Sequence, residues 1–263
     1  MTGHIDDLSL ALKLADIADN LAMERFTTAI SWEFKQDGTP VCDVDRDIEQ
    51  ALARMITEAR PEDQILGEEE INKSSAQSSA EKQTRRWIID PIDQTRHYLR
   101  GNPEFATLIA LEASNQIHVG VVSAPALGCR WWAALGQGAW KNGQKIAVSK
   151  VTSLEEAYLT IAGHREWYTR WEWDALSRLL DRCTYPAGCP GGFLQQMLVA
   201  EGAIDIFIEP WGDIWDHAGP SLIVREAGGM STTLAGTSPT GGSILATNGK
   251  LHRDVLEYLI PKK

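Results

Sequence analysis

The chain is short of positive charge and of cysteine. Lysine and arginine total 25 against 36 acidic residues, a net charge of −11. That balance argues against nucleic acid and anionic membrane as partners, and it suits a protein whose carboxylates hold cations. The four cysteines, Cys42, Cys129, Cys183 and Cys189, are scattered and form no CxxC pair. This argues against a disulfide framework or thiolate metal site and points to reduced, structural thiols in the cytoplasm. Six histidines show no HExxH spacing or other zinc pattern. No apolar run is long enough to span a bilayer. The first residues, MTGHIDDLSLALKLADIADN, carry an early acidic pair and no basic lead, so they do not read as a signal peptide.

What is present is a globular composition. Hydrophobic residues make up 43% of 263 positions, enough for a packed core in one large unit or two small ones. Ten tryptophans are many for this length. Trp131 and Trp132 cluster, as do Trp167, Trp171 and Trp173. They are expected in the core or at a subunit interface, not stacked on a ligand.

Periodicity predicts alternating helices and strands. Apolar positions at Leu8, Leu12, Ala15 and Ala22 predict an amphipathic helix over 6–26. A short strand at 32–35 and turn chemistry at Asp37-Gly38-Thr39-Pro40 precede a second helix over 45–60. A strand at 65–67 leads to Glu68-Glu69-Glu70, and the Ser-rich run 71–85 reads as a flexible surface loop. Strands are predicted at 86–89, 105–113, 117–123 and 130–135, followed by a glycine-rich connection over 136–143. The second half reads as a strand ending at 161–165, a helix over 167–182, and a turn at 188–192 feeding a helix through Phe193, Met197 and Val199. A strand at 204–208, a helix over 215–226, strands at 230–234 and 244–246, and a last helix over 250–259 complete it. No linker separates independent domains. The expectation is one layered α/β unit, with 1–150 a metal and phosphate half and 151–263 a substrate-rim half.

The chain is organised around Trp87-Ile-Ile-Asp90-Pro-Ile-Asp93-Gln-Thr95. A buried strand runs into Asp90, and Pro91 forbids its simple continuation. Two carboxylates held so close repel each other unless a cation sits between them; the plain alternative is an Asx-rich turn capping the next helix. Carboxylates recur at other element ends: Glu68 and Glu69 after one strand, and Asp216 at the start of a later helix. Taken singly, the first pair also reads as a solvated acidic loop and Asp216 as a helix N-cap. Oxygen-only donors, with a backbone carbonyl such as that of Ile92, suit Mg²⁺ better than zinc or copper.

Four blocks together resemble the inositol monophosphatase-like family of sugar phosphatases. They are Lys35-x-Asp37-Gly-Thr39-Pro-Val-x-x-x-Asp45, Gly67-Glu68-Glu69, Trp87-Ile-Ile-Asp90-Pro-Ile-Asp93-x-Thr95, and Trp215-Asp216-x-Ala218-Gly219 with Glu226-Ala-Gly-Gly229. The runs GVVSAPALGCRWWAALGQGAW and LVAEGAIDI look most like the family's bacterial histidinol-phosphate phosphatases. The resemblance implies an alternating α-β-α-β-α sandwich of the inositol monophosphatase and fructose-bisphosphatase type. It implies a Mg²⁺-dependent phosphomonoesterase acting on a small phosphorylated metabolite, with two or three ions and a homodimeric assembly. By matched position Glu68, Asp90 and the Ile92 carbonyl hold one metal, and Asp90, Asp93 and Asp216 another. Thr95, hydrogen-bonded to Asp45, orients the attacking water together with Glu68. Glu209 contacts the alcohol part of the substrate, and Asp93, Gln94 and Thr95 face the phosphate.

One position departs from the motif. Gln94 stands where the family has glycine, among the amides expected to cradle phosphate. Its side chain is expected to enter that cradle. Arg96 and His97 follow where a Lys-Asn-like pair is usual; Arg96 is expected in a surface ion pair, and His217 packed behind the metal site. The turn 188–192 replaces polar residues expected in a histidinol-phosphate site. Gln94 therefore keeps two alternatives in view: an enzyme of the same scaffold with an altered reaction or substrate, and a metabolite-binding protein that has lost turnover.

Overall fold

The computed structural model describes residues 3–69, 85–163, 167, 173–239 and 241–259. The Ser-rich run assigned to a loop, from 71 to 84, lies outside the described residues, as do Glu70 and Trp171.

Helix α1 (Gly3–Arg25) and helix α2 (Asp43–Ala59) form the first layer. The hairpin of β1 (Trp32–Phe34) and β2 (Pro40–Cys42) connects them through the Asp37–Pro40 turn. Leu14, Ala18, Ile48, Leu52 and Ile56 bury a common face against Trp87, Ile89, Ile109 and Val121. These last residues lie on a seven-stranded sheet in simple sequence order: β3 (Gln64–Gly67), β4 (Arg86–Asp93), β5 (Ala106–Ala113), β6 (Gln116–Ala124), β7 (Cys129–Ala134), β8 (Ala139–Lys141) and β9 (Gln144–Ile146). Within this sheet, among the described residues, only β3 and β4 pair in parallel.

The opposite sheet face carries Leu108, Val122 and Trp131, by the period-two alternation of a strand. It packs on α5 (Phe193–Ala200) and α6 (Ile214–Glu226) through Phe193, Met197, Leu222 and Ile223. A short helix α3 (Thr95–Leu99) follows β4, and α4 (Trp173–Leu180) lies further on. Helix α6 approaches the sheet at a pair of glycines. A Cβ added to Gly120 would lie 2.6 Å from the Gly219 carbonyl oxygen, so no side chain fits between them. That contact fixes how far along the sheet Asp216, one turn earlier, can stand.

The other faces of α5 and α6 cover a five-stranded sheet, ordered β11 (Tyr185–Gly188), β10 (Tyr158–Ile161), β12 (Ile206–Glu209), β14 (Ile244–Thr247), β13 (Met230–Thr232). Phe207 faces α5 and α6, while Ile206 and Ile208 face α4 and α7 (His252–Leu259) with Leu176, Leu179 and Val255. The result is the expected five-layer α-β-α-β-α sandwich.

Several expectations change in detail. Strand β4 does not stop at Ile89 but runs to Asp93, absorbing Pro91 as a register shift against β5 between Asp90 and Asp93. The glycine-rich stretch 136–143 holds β8, and β9 follows. The helix expected over 167–182 is described as Trp173–Leu180, with Trp167 buried ahead of it. Trp87, Trp131 and Trp167 are core residues, each at most 1% exposed.

Candidate active site

The bulge in β4 builds the centre of the site. Its two extra carbonyls are each taken by a hydroxyl: Thr107 Oγ1 donates to the Pro91 oxygen at 2.8 Å, and Thr95 Oγ1 to the Ile92 oxygen at 3.0 Å. With those bonds made, Asp90 and Asp93 are held at the strand end, and both are buried. Asp216 comes from the first turn of α6. It is not the cap of that helix. Asp213 is, and its N–H donates to Asp216 Oδ2 at 2.5 Å. Ligand atoms of Asp90, Asp93 and Asp216 lie within 4.8 Å of one another.

Three carboxylates so placed strain against ionisation. Burial first, then the charges of Glu68, Asp93 and Asp216, raise Asp90 well above the ordinary carboxylate range. Asp216 is raised for the same reasons, burial first and then Asp93. Burial lifts Asp93 to about 6, opposed by the backbone N–H groups of Phe193 and Gln94. Among the described residues, Asp90 Oδ1 is buried without a hydrogen-bond partner. Oxygen donors only, mutual repulsion and an unpartnered buried carboxylate oxygen fit a hard divalent cation.

Glu68 stands beside this cluster, after β3. Lys35 Nζ bonds Glu68 Oε1 at 2.6 Å and Glu69 Oε1 at 3.1 Å. Burial acts to lower the lysine, but the two glutamates outweigh it and hold it protonated. Gly67 is required by close approach: a Cβ there would lie 2.3 Å from Glu49 Oε2, which accepts the Glu69 N–H at 2.9 Å. Glu49 was not anticipated as part of the site. Its signal was its place on α2, one turn after Asp45.

The Thr95–Asp45 hydrogen bond expected from the resemblance is not formed. The single Thr95 hydroxyl proton goes to Ile92, and Asp45 Oδ2 instead accepts the Cys42 N–H at 2.8 Å. Asp45 Oδ1 is buried without a partner among the described residues, and burial raises Asp45 to about 7. The arginine expectation also changes: Arg96 donates to the Gly38 carbonyl at 2.9 Å, tying α3 to the 37–40 turn in place of a surface ion pair. His217 is fully buried behind Asp216, under Gly212, and burial lowers it to about 4.

A cleft of about 260 Å³ opens over the carboxylates. Glu68, Asp90, Ile92, Asp93, Thr95 and Asp216 line its floor, and Gln94, Glu209, Pro190 and Trp211 stand along it. The fold thus brings every predicted site residue except Asp45 to one wall or another of this cleft. Glu209, at the end of β12, is buried and raised to about 8 by burial and by Asp93. Trp211 was not foreseen. It is among the exposed large hydrophobics, and a Cβ on Gly163 would lie 1.9 Å from its ring.

The model of the inositol monophosphatase family matches residues 6–262. A histidinol-phosphatase of Mycobacterium tuberculosis is 42% identical over 261 residues, covering 97% of this chain and 98% of its own. One from Streptomyces coelicolor is 40% identical over 270 residues, covering 98% of both. Among solved structures, a Thermotoga maritima IMPase superposes with a TM-score of 0.83 at 29% identity, covering 97% of this chain and 96% of that one. The chain therefore belongs to the inositol monophosphatase family and is a phosphoric monoester hydrolase.

Proposed function

We propose that the enzyme is a Mg²⁺-dependent phosphatase of histidinol phosphate. The observation that carries the metal is the triad of buried Asp90 and Asp93 with half-buried Asp216, whose ligand atoms lie within 4.8 Å of one another. The substrate rests on the two histidinol-phosphatases, 42% and 40% identical over nearly the whole chain.

Asp90, Asp93, Asp216, Glu68 and the Ile92 carbonyl would hold the cation. When bound, Mg²⁺ neutralises charge on the ester's non-bridging oxygens and lowers the pKa of coordinated water. The chain's own groups do the rest. Thr95 has spent its proton on Ile92, so its oxygen is left to accept a hydrogen bond and orient the attacking water. Glu68, steadied by Lys35, is the carboxylate beside that water. Asp45 makes no hydrogen bond to Thr95; its Oδ2 accepts the Cys42 N–H. Glu209, on the cleft wall, faces the alcohol part of the ester.

We also propose a cytoplasmic homodimer. The unpaired thiols support the compartment, and the family resemblance supports the assembly. Trp131 and Trp167 do not supply an interface, because the single chain already buries them. Sedimentation at micromolar concentration checks the dimer.

Phosphate release from histidinol phosphate and myo-inositol 1-phosphate, with and without Mg²⁺, tests the reading. Release from histidinol phosphate that needs Mg²⁺ and is lost in Asp90→Asn is expected. Metal-independent release, or Mg²⁺ affinity unchanged in Asp90→Asn by calorimetry, overturns it.

A further inference from the structure

Gln94 closes β4 and precedes α3 with φ 66° and ψ 47°, the left-handed region. Side chains disfavour that conformation, and asparagine, aspartate or glycine are the usual residues there. The glutamine is held by what its side chain meets. A Cβ built on Gly192 would lie 2.4 Å from Gln94 Nε2, 3.2 Å from its Cδ and 2.8 Å from Asp93 Oδ2. The carboxamide thus rests directly on the backbone of Gly192, beside a carboxylate of the acidic triad.

The neighbouring glycine plays the same part for a second side chain. A Cβ on Gly191 would lie 2.2 Å from Glu209 Oε1. Two adjacent glycines, each with positive φ (94° and 80°), therefore receive two polar side-chain ends, Glu209 and Gln94. Both line the cleft. Together they form one continuous wall that begins at Asp93, where the phosphoryl end of an ester must sit.

With the phosphoryl end against Asp93, the part of the ester that would meet this wall next is the carbon that bears the ester oxygen. An ester of a ring secondary alcohol has two ring carbons attached at that carbon and needs room on both sides of it. An ester of a primary alcohol has one, and its CH₂ group carries the bulk of the alcohol clear. From the seating of Gln94 on Gly192 beside Asp93, we propose that Gln94 is a specificity-determining residue that favours phosphate esters of primary, open-chain alcohols over those of ring secondary alcohols. The inference rests on the cleft being the phosphomonoesterase site.

The test is the ratio of kcat/KM for histidinol phosphate, a primary ester, to that for myo-inositol 1-phosphate, a ring ester, at saturating Mg²⁺. Wild type, Gln94→Gly and Gln94→Asn are compared. Gln94→Gly should lower the ratio by at least about tenfold, the scale on which a pocket discriminates one small group, chiefly through a lower KM for the ring ester. Gln94→Asn, which tolerates the backbone and shortens the side chain, should fall between. Equal proportional changes for both esters overturn the inference, as does a Mg²⁺ affinity altered more than about tenfold in Gln94→Gly, which would mark a structural role. Absence of phosphate release from either ester, in wild type and variants alike, overturns the assignment of the cleft itself.

Discussion

Asp93 Oδ2 accepts the backbone N–H of Phe193 at 2.8 Å across 100 residues of sequence. One carboxylate therefore belongs to the acidic triad and also satisfies the first free donor of α5. It fastens the strand that carries Asp90 and Asp93 to the helix that packs between the two sheets. Asp93→Asn keeps an acceptor there and removes the charge, whereas Asp93→Ala removes both. In chelator the alanine variant should be less stable than the asparagine variant by about 0.5–2 kcal/mol, the scale of a lost N-terminal acceptor. Thermal melts of the pair check this, and equal midpoints would refute the bond's contribution.

Asp90 contributes repulsion to the metal-free fold, because burial and four neighbouring acidic groups raise it. Asp90→Asn should therefore melt higher than wild type in chelator, by about 2–4 °C per kcal/mol relieved. Added Mg²⁺ should stabilise wild type and not the variant. Hydrolysis should fall on the order of 10²-fold or more. A variant that melts lower in chelator would show that Asp90 is paid for by contacts, not opposed by charge.

Gly192 carries φ 80° and ψ −163°, which side chains avoid. Gly192→Ala should cost about 1–3 kcal/mol. Part of that cost comes from the Gln94 carboxamide, so combining it with Gln94→Gly should return some of the loss. Denaturant melts of both single variants and the double variant measure the coupling. Strict additivity would mean that the two residues do not press on each other.

His252 gives the fold an acid limit. It lies between Thr232 Oγ1, at 2.9 Å, and Thr247 Oγ1, at 3.0 Å. Burial lowers it to about 4. The unfolded imidazole gains its proton near pH 6.5, so the stability held above that pH is lost as pH falls toward 4. The raised carboxyls Asp45 and Glu209 act in the opposite sense. The readout is therefore the difference between wild type and His252→Gln, which should shrink from pH 7 to pH 4.5. A constant difference would place the histidine outside the acid transition.

Local pattern was enough for most elements. The helices α1 and α2 announce themselves by apolar spacing, and the β4 to β7 strands by β-branched and aromatic runs. The acidic residues of the site were legible too, because Asp90, Asp93, Glu68 and Asp216 stand at element ends inside recognisable blocks. Short edge strands such as β11 (Tyr-Pro-Ala-Gly, exposed throughout) carry no hydrophobic alternation, so nothing local marks them. Pro91 read as a strand end because the sequence does not reveal that Thr107 and Thr95 will take the carbonyls of a bulge.

Tertiary structure alone decided the partners. It turned the Thr95 hydroxyl to Ile92 instead of Asp45, and it set Lys35 between Glu68 and Glu69. It placed Gln94 on Gly192, and Asp93 on Phe193. Each of these joins residues far apart in the chain or chooses between acceptors that local sequence offers equally. Hydrophobic periodicity is a property of neighbours along the chain, but hydrogen-bond choice and steric contact depend on distances that exist only after the layers have packed.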